Sequence, residues 1–103
     1  MRKITPMQFT GQWAWDALNI DRIHDASIRL HWTDQPYQWH VNDGSEVFVV
    51  LQGRVDMHVR QQGVEQILPL QVGDVFHAAE GDEHVAHPQG VARVLVIETA
   101  GSI

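Results

Sequence analysis

The sequence predicts a single all-β domain, built as an antiparallel sandwich or barrel. Short stretches in which apolar residues alternate with polar ones recur along the chain. Turn signals separate these stretches at intervals of roughly eight to fifteen residues, which is typical of antiparallel sandwiches and barrels. No long stretch has the apolar period of a helix, and a chain of 103 residues supplies one core rather than two.

The composition is that of a globular protein, and it narrows the range of partners. Hydrophobic residues make up 44% of the chain and charged residues 19%. Seven Lys and Arg stand against thirteen Asp and Glu, so the formal net charge is −6, which argues against nucleic acid and anionic membranes as partners. The chain has no cysteine, which excludes disulfides and thiolate metal ligands.

The amino-terminal sequence predicts the compartment. The first residues, MRKITPMQF, include basic side chains without the apolar run of a secretory signal. No stretch of the sequence reaches the length of a membrane span. We therefore expect a cytoplasmic protein.

Residues 1–25 are expected to be an amino-terminal cover or dimerisation segment, part of the same domain as a barrel over residues 26–103. The stretch QWAWDALNI is interpreted as either a short helix or an irregular cover. The segment carries apolar side chains that need burial, namely Phe9, Trp13, Trp15, Leu18 and Ile20. A homodimer with this segment in its interface meets that need, and folding back over its own barrel is the competing arrangement.

The expected strands of the barrel follow in chain order from residue 26. In the first, ASIRLHW, Ile28 and Leu30 alternate with Arg29 and His31; the surface is favoured for His31, and a polar barrel interior is the alternative. The others are YQWHVN, EVFVVLQ, RVDMHVR, VEQILPL, VFHAA and VARVLVIET. The runs EVFVVL and VLVIE are apolar at successive positions, which predicts strands buried on both faces.

The stretch WHVNDGSEVFVVLQG places three polar side chains at the starts of two apolar strands. If DGS forms a three-residue hairpin loop, Asn42 lies opposite Glu46, and His40 lies opposite Phe48. His40, Asn42 and Glu46 then share one face, with Phe48 in the same pocket. A two-residue loop pairs Val41 with Glu46 instead and separates the set.

His84 is a further candidate for the same site, because it follows a turn containing Gly81 and begins another extended stretch. Two imidazoles and one carboxylate from three strands make the facial arrangement of non-haem iron and related sites. The alternative for His40, Glu46 and His84 is a hydrogen-bonded polar cluster in a barrel mouth. Asn42 is either a weak ligand or a turn residue.

The remaining histidines are interpreted from the strand pattern. His58 shares a solvated face with Asp56 and Arg60. His77 shares the face of His84 only if EGDE is a four-residue hairpin loop. His87, three residues after His84, faces away from it in a regular strand.

These residues resemble the first motif of the cupin superfamily. That motif has a His-x-His pair, a Glu four or five residues after the second His, and a Gly seven residues after the Glu. His40, Asn42, Glu46 and Gly53 stand at these places, with Asn42 where the second His is usual.

The second cupin motif has a matching stretch as well. It runs Gly, five residues, Pro-x-Gly, two residues, His, three residues and Asn. The corresponding residues here are Gly73, Ala79, Gly81, His84 and Pro88, with Ala79 for the Pro and Pro88 for the Asn. The two motifs together span residues 39–88, about half of the chain.

The resemblance implies a small single-domain cupin, which is a double-stranded β-helix or jelly-roll barrel. It implies a divalent transition metal (Fe, Mn, Ni or Zn) held by His40, Asn42, Glu46 and His84. A loosely bound metal, a harder ion and an empty site are the alternatives, because an amide oxygen is a poorer donor than imidazole.

Three functions stay open for such a protein. The first is a metal-dependent enzyme acting on a small polar metabolite, with no residue assigned a catalytic role. The second is a non-catalytic sugar- or metabolite-binding or sensory module with weak or no metal. The third is a structural role through dimerisation, with an unused pocket.

Overall fold

The computed structural model describes residues 1–102, and its regular secondary structure over this range is almost entirely β. A single 3-10 turn, Pro6–Gln8, precedes the strands. The nine strands are β1 (Asp16–Ile23), β2 (Ala26–Thr33), β3 (His40–Val41), β4 (Glu46–Gln52), β5 (Val55–Gln61), β6 (Val64–Leu70), β7 (Val75–Ala78), β8 (Glu83–Pro88) and β9 (Ala92–Thr99). Among the described residues, no helix is long and apolar enough to cross a membrane.

The strands form two sheets that face each other as a jelly-roll sandwich. The five-stranded sheet has the order β1-β2-β9-β4-β7, and the four-stranded sheet has the order β3-β8-β5-β6. All pairings are antiparallel. The predicted all-β jelly-roll fold is confirmed, although the two sheets do not close into one continuous barrel.

The core lies between the sheets and takes alternate residues from both. Phe48 and Val50 come from β4, and Met57 on β5 approaches them from the opposite sheet. Burying each such side chain contributes on the order of 1.5–3 kcal/mol to folding. The core fills one end of the sandwich, and the other end is left to polar side chains.

The side chains of strand β2 point to the opposite faces of the sheet from those that the sequence predicts. Arg29 pairs with Val96, a core residue of β9, so Arg29 and its same-face neighbour His31 point between the sheets. Leu30 points to the outer face, where it is nevertheless fully buried. The expected surface position of His31 is therefore wrong, since both faces of β2 are covered.

The amino-terminal segment covers that outer face. The guanidinium of Arg93, which lies on the same face as Leu30, donates hydrogen bonds to the backbone oxygen of Phe9 (2.8 Å) and to the hydroxyl of Thr10 (3.1 Å). These bonds fold the segment back over its own sheet. Trp13 does not join this cover and is 63% exposed in the single chain, so its burial stays a prediction that depends on the homodimer.

Residues 16–23, interpreted from the sequence as part of a helix or irregular cover, instead form the edge strand β1 of the five-stranded sheet. This strand pairs with β2 along its length, with an irregularity between Asn19 and Asp21. The hairpin between β1 and β2 needs a left-handed residue, His24, at its turn. Within QWAWDALNI the helix interpretation is therefore wrong, and the irregular one holds only for residues 12–15, because pairing with β2 decides the conformation from Asp16 onward.

The predicted hairpin between β3 and β4 is also wrong. Strand β3 pairs with β8 in the four-stranded sheet, whereas β4 lies between β9 and β7 in the five-stranded sheet. The DGS stretch is therefore a crossing between sheets and not a hairpin loop. Asn42 does not lie opposite Glu46, nor His40 opposite Phe48.

Candidate metal centre

Two histidines meet across a pair of strands at the polar end of the sandwich. His40 on β3 is the register partner of His84 on β8, and their ring centroids are 4.3 Å apart. His40 Nδ1 donates its hydrogen to the backbone oxygen of Gln38 at 3.0 Å, which leaves Nε2 as the lone-pair nitrogen. A histidine whose other ring nitrogen is held in this way is prepared for a metal.

Glu46 brings a carboxylate to these histidines from the opposite sheet. It begins β4 and is only 7% exposed. Its Oε1 atom lies 3.1 Å from Nε2 of His84, yet forms no hydrogen bond. An acidic side chain this deeply buried is costly without a partner.

Asn42 completes the group from the crossing between β3 and β4. Its backbone N–H donates to the carbonyl oxygen of Asp82 (2.9 Å), and its own carbonyl oxygen accepts from the N–H of Gly81 (2.8 Å). These bonds fix its side chain, whose Oδ1 lies 2.7 Å from Nε2 of His84. The amide oxygen therefore faces the same imidazole nitrogen as the carboxylate does.

This group of donors fits a divalent metal ion. One ligand atom each from His40, Glu46 and His84 lies within 4.8 Å of the other two. Nε2 of His84 has at most one hydrogen, but two oxygens approach it, at 2.7 and 3.1 Å. Ligand atoms about 2.1 Å from an ion and at right angles are about 3.0 Å apart, so these separations match a shared coordination shell.

The hydrogen-bonded polar cluster accounts for the same residues less completely. Without an ion, His84 donates Nε2–H to Asn42, and Oε1 of Glu46, Nδ1 of His84 and the amide nitrogen of Asn42 stay buried without hydrogen-bond partners. A metal would satisfy the glutamate oxygen. Nδ1 of His84 would remain without the acceptor that a ligating histidine usually has.

A cavity of about 230 Å³ opens beside these residues. Phe48 lines it together with His40, Glu46 and His84, so the structure places the predicted pocket residue beside the predicted ligands. Its floor is apolar, with Met57 and Val96 among the lining residues.

Glu98 is a second acidic side chain in this cavity, which the sequence analysis did not identify. It is the cross-strand partner of Glu46, so two carboxyl groups stand side by side on one face. Burial first, and then the negative charge of Glu46, raise the pKa of Glu98 to about 7, while the positive charge of Arg29 acts in the opposite direction. Near neutral pH this carboxyl can therefore carry a proton.

A row of aromatic rings lines the cavity and ends at His40. Trp15 makes edge-to-face contacts with His31 (5.9 Å between centroids) and Tyr37 (5.3 Å), and Tyr37 makes one with His40 (5.5 Å). His31 donates from Nδ1 to the backbone oxygen of Trp15 at 3.0 Å, and burial lowers its pKa. Trp15 has a left-handed backbone (φ 62°), a strained conformation that is concentrated at functional sites.

The other histidines lie away from this centre. His58 and His87 contact each other on the outer face of the four-stranded sheet, with ring centroids 4.1 Å apart. His77 lies on β7 in the five-stranded sheet and is exposed, because EGDE crosses between the sheets. None of these three belongs to the group near His84.

The sequence analysis missed Arg29, His31, Tyr37 and Glu98 as cavity residues. The signal was the alternation in ASIRLHW, whose polar residues Arg29 and His31 point into an interior lined by polar groups. It could not be used without knowing that residues 9–11 cover the apolar face.

In this jelly roll, the two sheets bring two histidines and a glutamate together. Such an arrangement is typical of small double-stranded β-helix proteins. No protein-family model matches the sequence, and no curated protein matches it either. The fold, by contrast, is closely similar to that of solved structures.

Two of these are cupins. A cupin-2 domain protein from Shewanella frigidimarina superposes with a TM-score of 0.76 at 24% identity, over 86% of this chain and 84% of that one. A cupin superfamily protein from Desulfitobacterium hafniense gives 0.77 at 14% identity, over 91% of this chain and 85% of that one. The chain has the cupin fold, as its motifs indicated.

A third similar structure is the Fe(II) form of HppE, a hydroxypropylphosphonic acid epoxidase. Its TM-score is 0.69 at 14% identity, and the match covers 80% of this chain and 49% of that chain. At such identities the likeness shows the fold alone.

Proposed function

We propose that this protein is a metal-dependent enzyme that acts on a small polar metabolite. The observation that carries the proposal is the convergence of His40, Glu46 and His84, whose ligand atoms lie within 4.8 Å of one another beside a cavity. The Fe(II) form of a similarly folded epoxidase supports it by analogy.

Each residue has a role that follows from its atoms. His40 and His84 supply imidazole nitrogens, Glu46 supplies a carboxylate oxygen, and Asn42 supplies a weaker amide oxygen. A divalent transition metal held by these residues would supply Lewis-acid chemistry, by polarising a substrate oxygen or lowering the pKa of bound water. Glu46 is a ligand in this arrangement and not a general base.

The size and the lining of the cavity limit which substrates it can hold. Its volume of about 230 Å³ suits a small molecule rather than a polymer. Trp15, Tyr37, Phe48 and Met57 line the cavity and offer apolar surface to such a molecule.

A second candidate is a non-catalytic metabolite-binding or sensory module with weak or no metal. The observation that favours it is Asn42, whose amide oxygen occupies the position where the first cupin motif has a second imidazole. Replacing imidazole by amide oxygen weakens a site for a first-row transition metal.

Metal analysis of the protein, purified without chelator and without added metal, separates the two. The enzyme proposal requires about one redox-active or Lewis-acidic transition metal per chain. Protein that is folded by circular dichroism but binds none of Fe(II), Mn(II), Ni(II) or Zn(II) on titration would contradict it. A cytoplasmic location and a homodimer stay predictions.

A further inference from the structure

Arg29 is the basic side chain that β2 directs into the cavity. It is half-buried, and its Nε–H donates to the side-chain oxygen of Asn19 at 3.0 Å. That bond holds the guanidinium by one edge. The two terminal amino groups stay available, and their geometry matches the two oxygens of a carboxylate.

The guanidinium has no close counter-charge within residues 1–102. No carboxylate there lies within 4.0 Å of it, whereas Arg54 and Arg60 both have such partners. Glu98 acts on Arg29 only at longer range, through their mutual electrostatic effect. A partly buried cation without a partner is costly, and a bound anion would remove that cost.

The distance between Arg29 and the proposed metal ligands can be spanned by one small molecule. Strand β9 separates β2 from β4, and Glu46 lies two residues further along the strands than the row of Arg29, so their Cα atoms stand about 12 Å apart on the sheet. Val96 and Phe48 occupy the same row as Arg29, whereas Glu46 lies in the next row on this face, beside Glu98. A short chain of carbon atoms could cross this apolar row with a polar group at each end.

We propose that the cavity binds a small organic acid, with a carboxylate held by the terminal amino groups of Arg29 and the opposite end of the molecule at the His40–Glu46–His84 centre. The inference rests on the proposed function for its metal-facing end. Binding of the carboxylate by Arg29 does not depend on the metal.

Isothermal titration calorimetry with malonate, succinate and glutarate, each paired with its neutral diamide, tests the proposal. Titrations use apo and metal-loaded protein, and the metal content of every sample is measured. We expect at least one diacid to bind more tightly than its diamide. Arg29→Gln should weaken that diacid roughly tenfold or more, Arg29→Lys should weaken it less, and neither should change metal content.

Arg22→Gln is the matched control, because it removes the same charge from an exposed position on β1 outside the cavity. It should leave diacid binding within about twofold of wild type, since exposed charges are screened. If Arg29→Gln binds the diacid as tightly as wild type, or if no diacid binds better than its diamide, the proposal is overturned. A protein that binds no metal but still loses apo diacid binding on Arg29→Gln would refute the metal function and keep the anion subsite.

Discussion

Nε2 of His84 lies 3.1 Å from Oε1 of Glu46, although the two residues belong to different sheets. Strand β8 carries the histidine, and β4 carries the glutamate. The polar end of the sandwich is therefore the place where both sheets contribute donors to a single point. Any ion bound there would link the two sheets.

His84→Ala should remove most of the bound metal while the domain stays folded. His84 is 2% exposed and contacts both Glu46 and Asn42, so its loss leaves the remaining donors dispersed. Loss of a ligand should exceed the roughly 10–100-fold effect of changing a residue that only orients one. His77→Ala, at an exposed position on β7, is the control. Unchanged metal content in His84→Ala with a normal circular dichroism spectrum would show that the ligand is misassigned.

Asn42→His should strengthen transition-metal binding. The side chain of Asn42 already points at Nε2 of His84, and an imidazole there restores the nitrogen donor of the cupin motif. The expected gain is about tenfold or more for Zn(II) or Ni(II), measured by competition with a chelating indicator. Asn42→Ala controls for loss of the amide. No gain with any first-row divalent ion would mean that residue 42 does not face the ion.

The apo protein should become less stable as the pH rises from about 4.5 to about 7, through Glu98. Its pKa is raised in the folded state, so the stabilisation is complete below the ordinary carboxyl pKa and is lost as pH rises through about 7. Solvent screening limits the effect to about 1–2 kcal/mol. Glu98→Gln should reduce this slope relative to wild type in urea unfolding with chelator present. Parallel pH profiles for the two proteins would contradict the assignment.

The homodimer predicted from the amino-terminal segment should be visible in solution. Part of that segment lies on its own sheet through Arg93, but Met7 and Trp13 stay exposed, at 57% and 63%. Apolar side chains are exposed at the β6–β7 end as well, including Val72 and Val75. Light scattering at micromolar concentration should give twice the single-chain mass of 11.7 kDa. A mass near the single-chain value would reject the dimer.

The sequence predicted the fold because its two motifs have cupin spacing and its strands alternate with turns. It also named residues that the structure brings together, since His40, Glu46 and His84 stand at strand starts. It paired them wrongly, because strand parity depends on which strands are neighbours. The Asp43-Gly44 turn could serve a hairpin or a crossing equally well.

The sequence also could not show which face of β2 points between the sheets. Leu30 looks like a core residue and Arg29 like a surface residue, but residues 9–11 cover the outer face through Arg93. That contact joins positions more than eighty residues apart. Local pattern cannot reveal it, so the side of the cavity that Arg29 lines could not be predicted from the sequence.

The most direct test of the metal centre is an anomalous difference map from a crystal of the protein loaded with Mn(II) or Zn(II), collected above the metal edge. We predict one strong peak, about 2.0–2.2 Å from the coordinating atoms of His40, Glu46 and His84. A peak at His58 and His87 alone, or no peak near His84, would contradict the account.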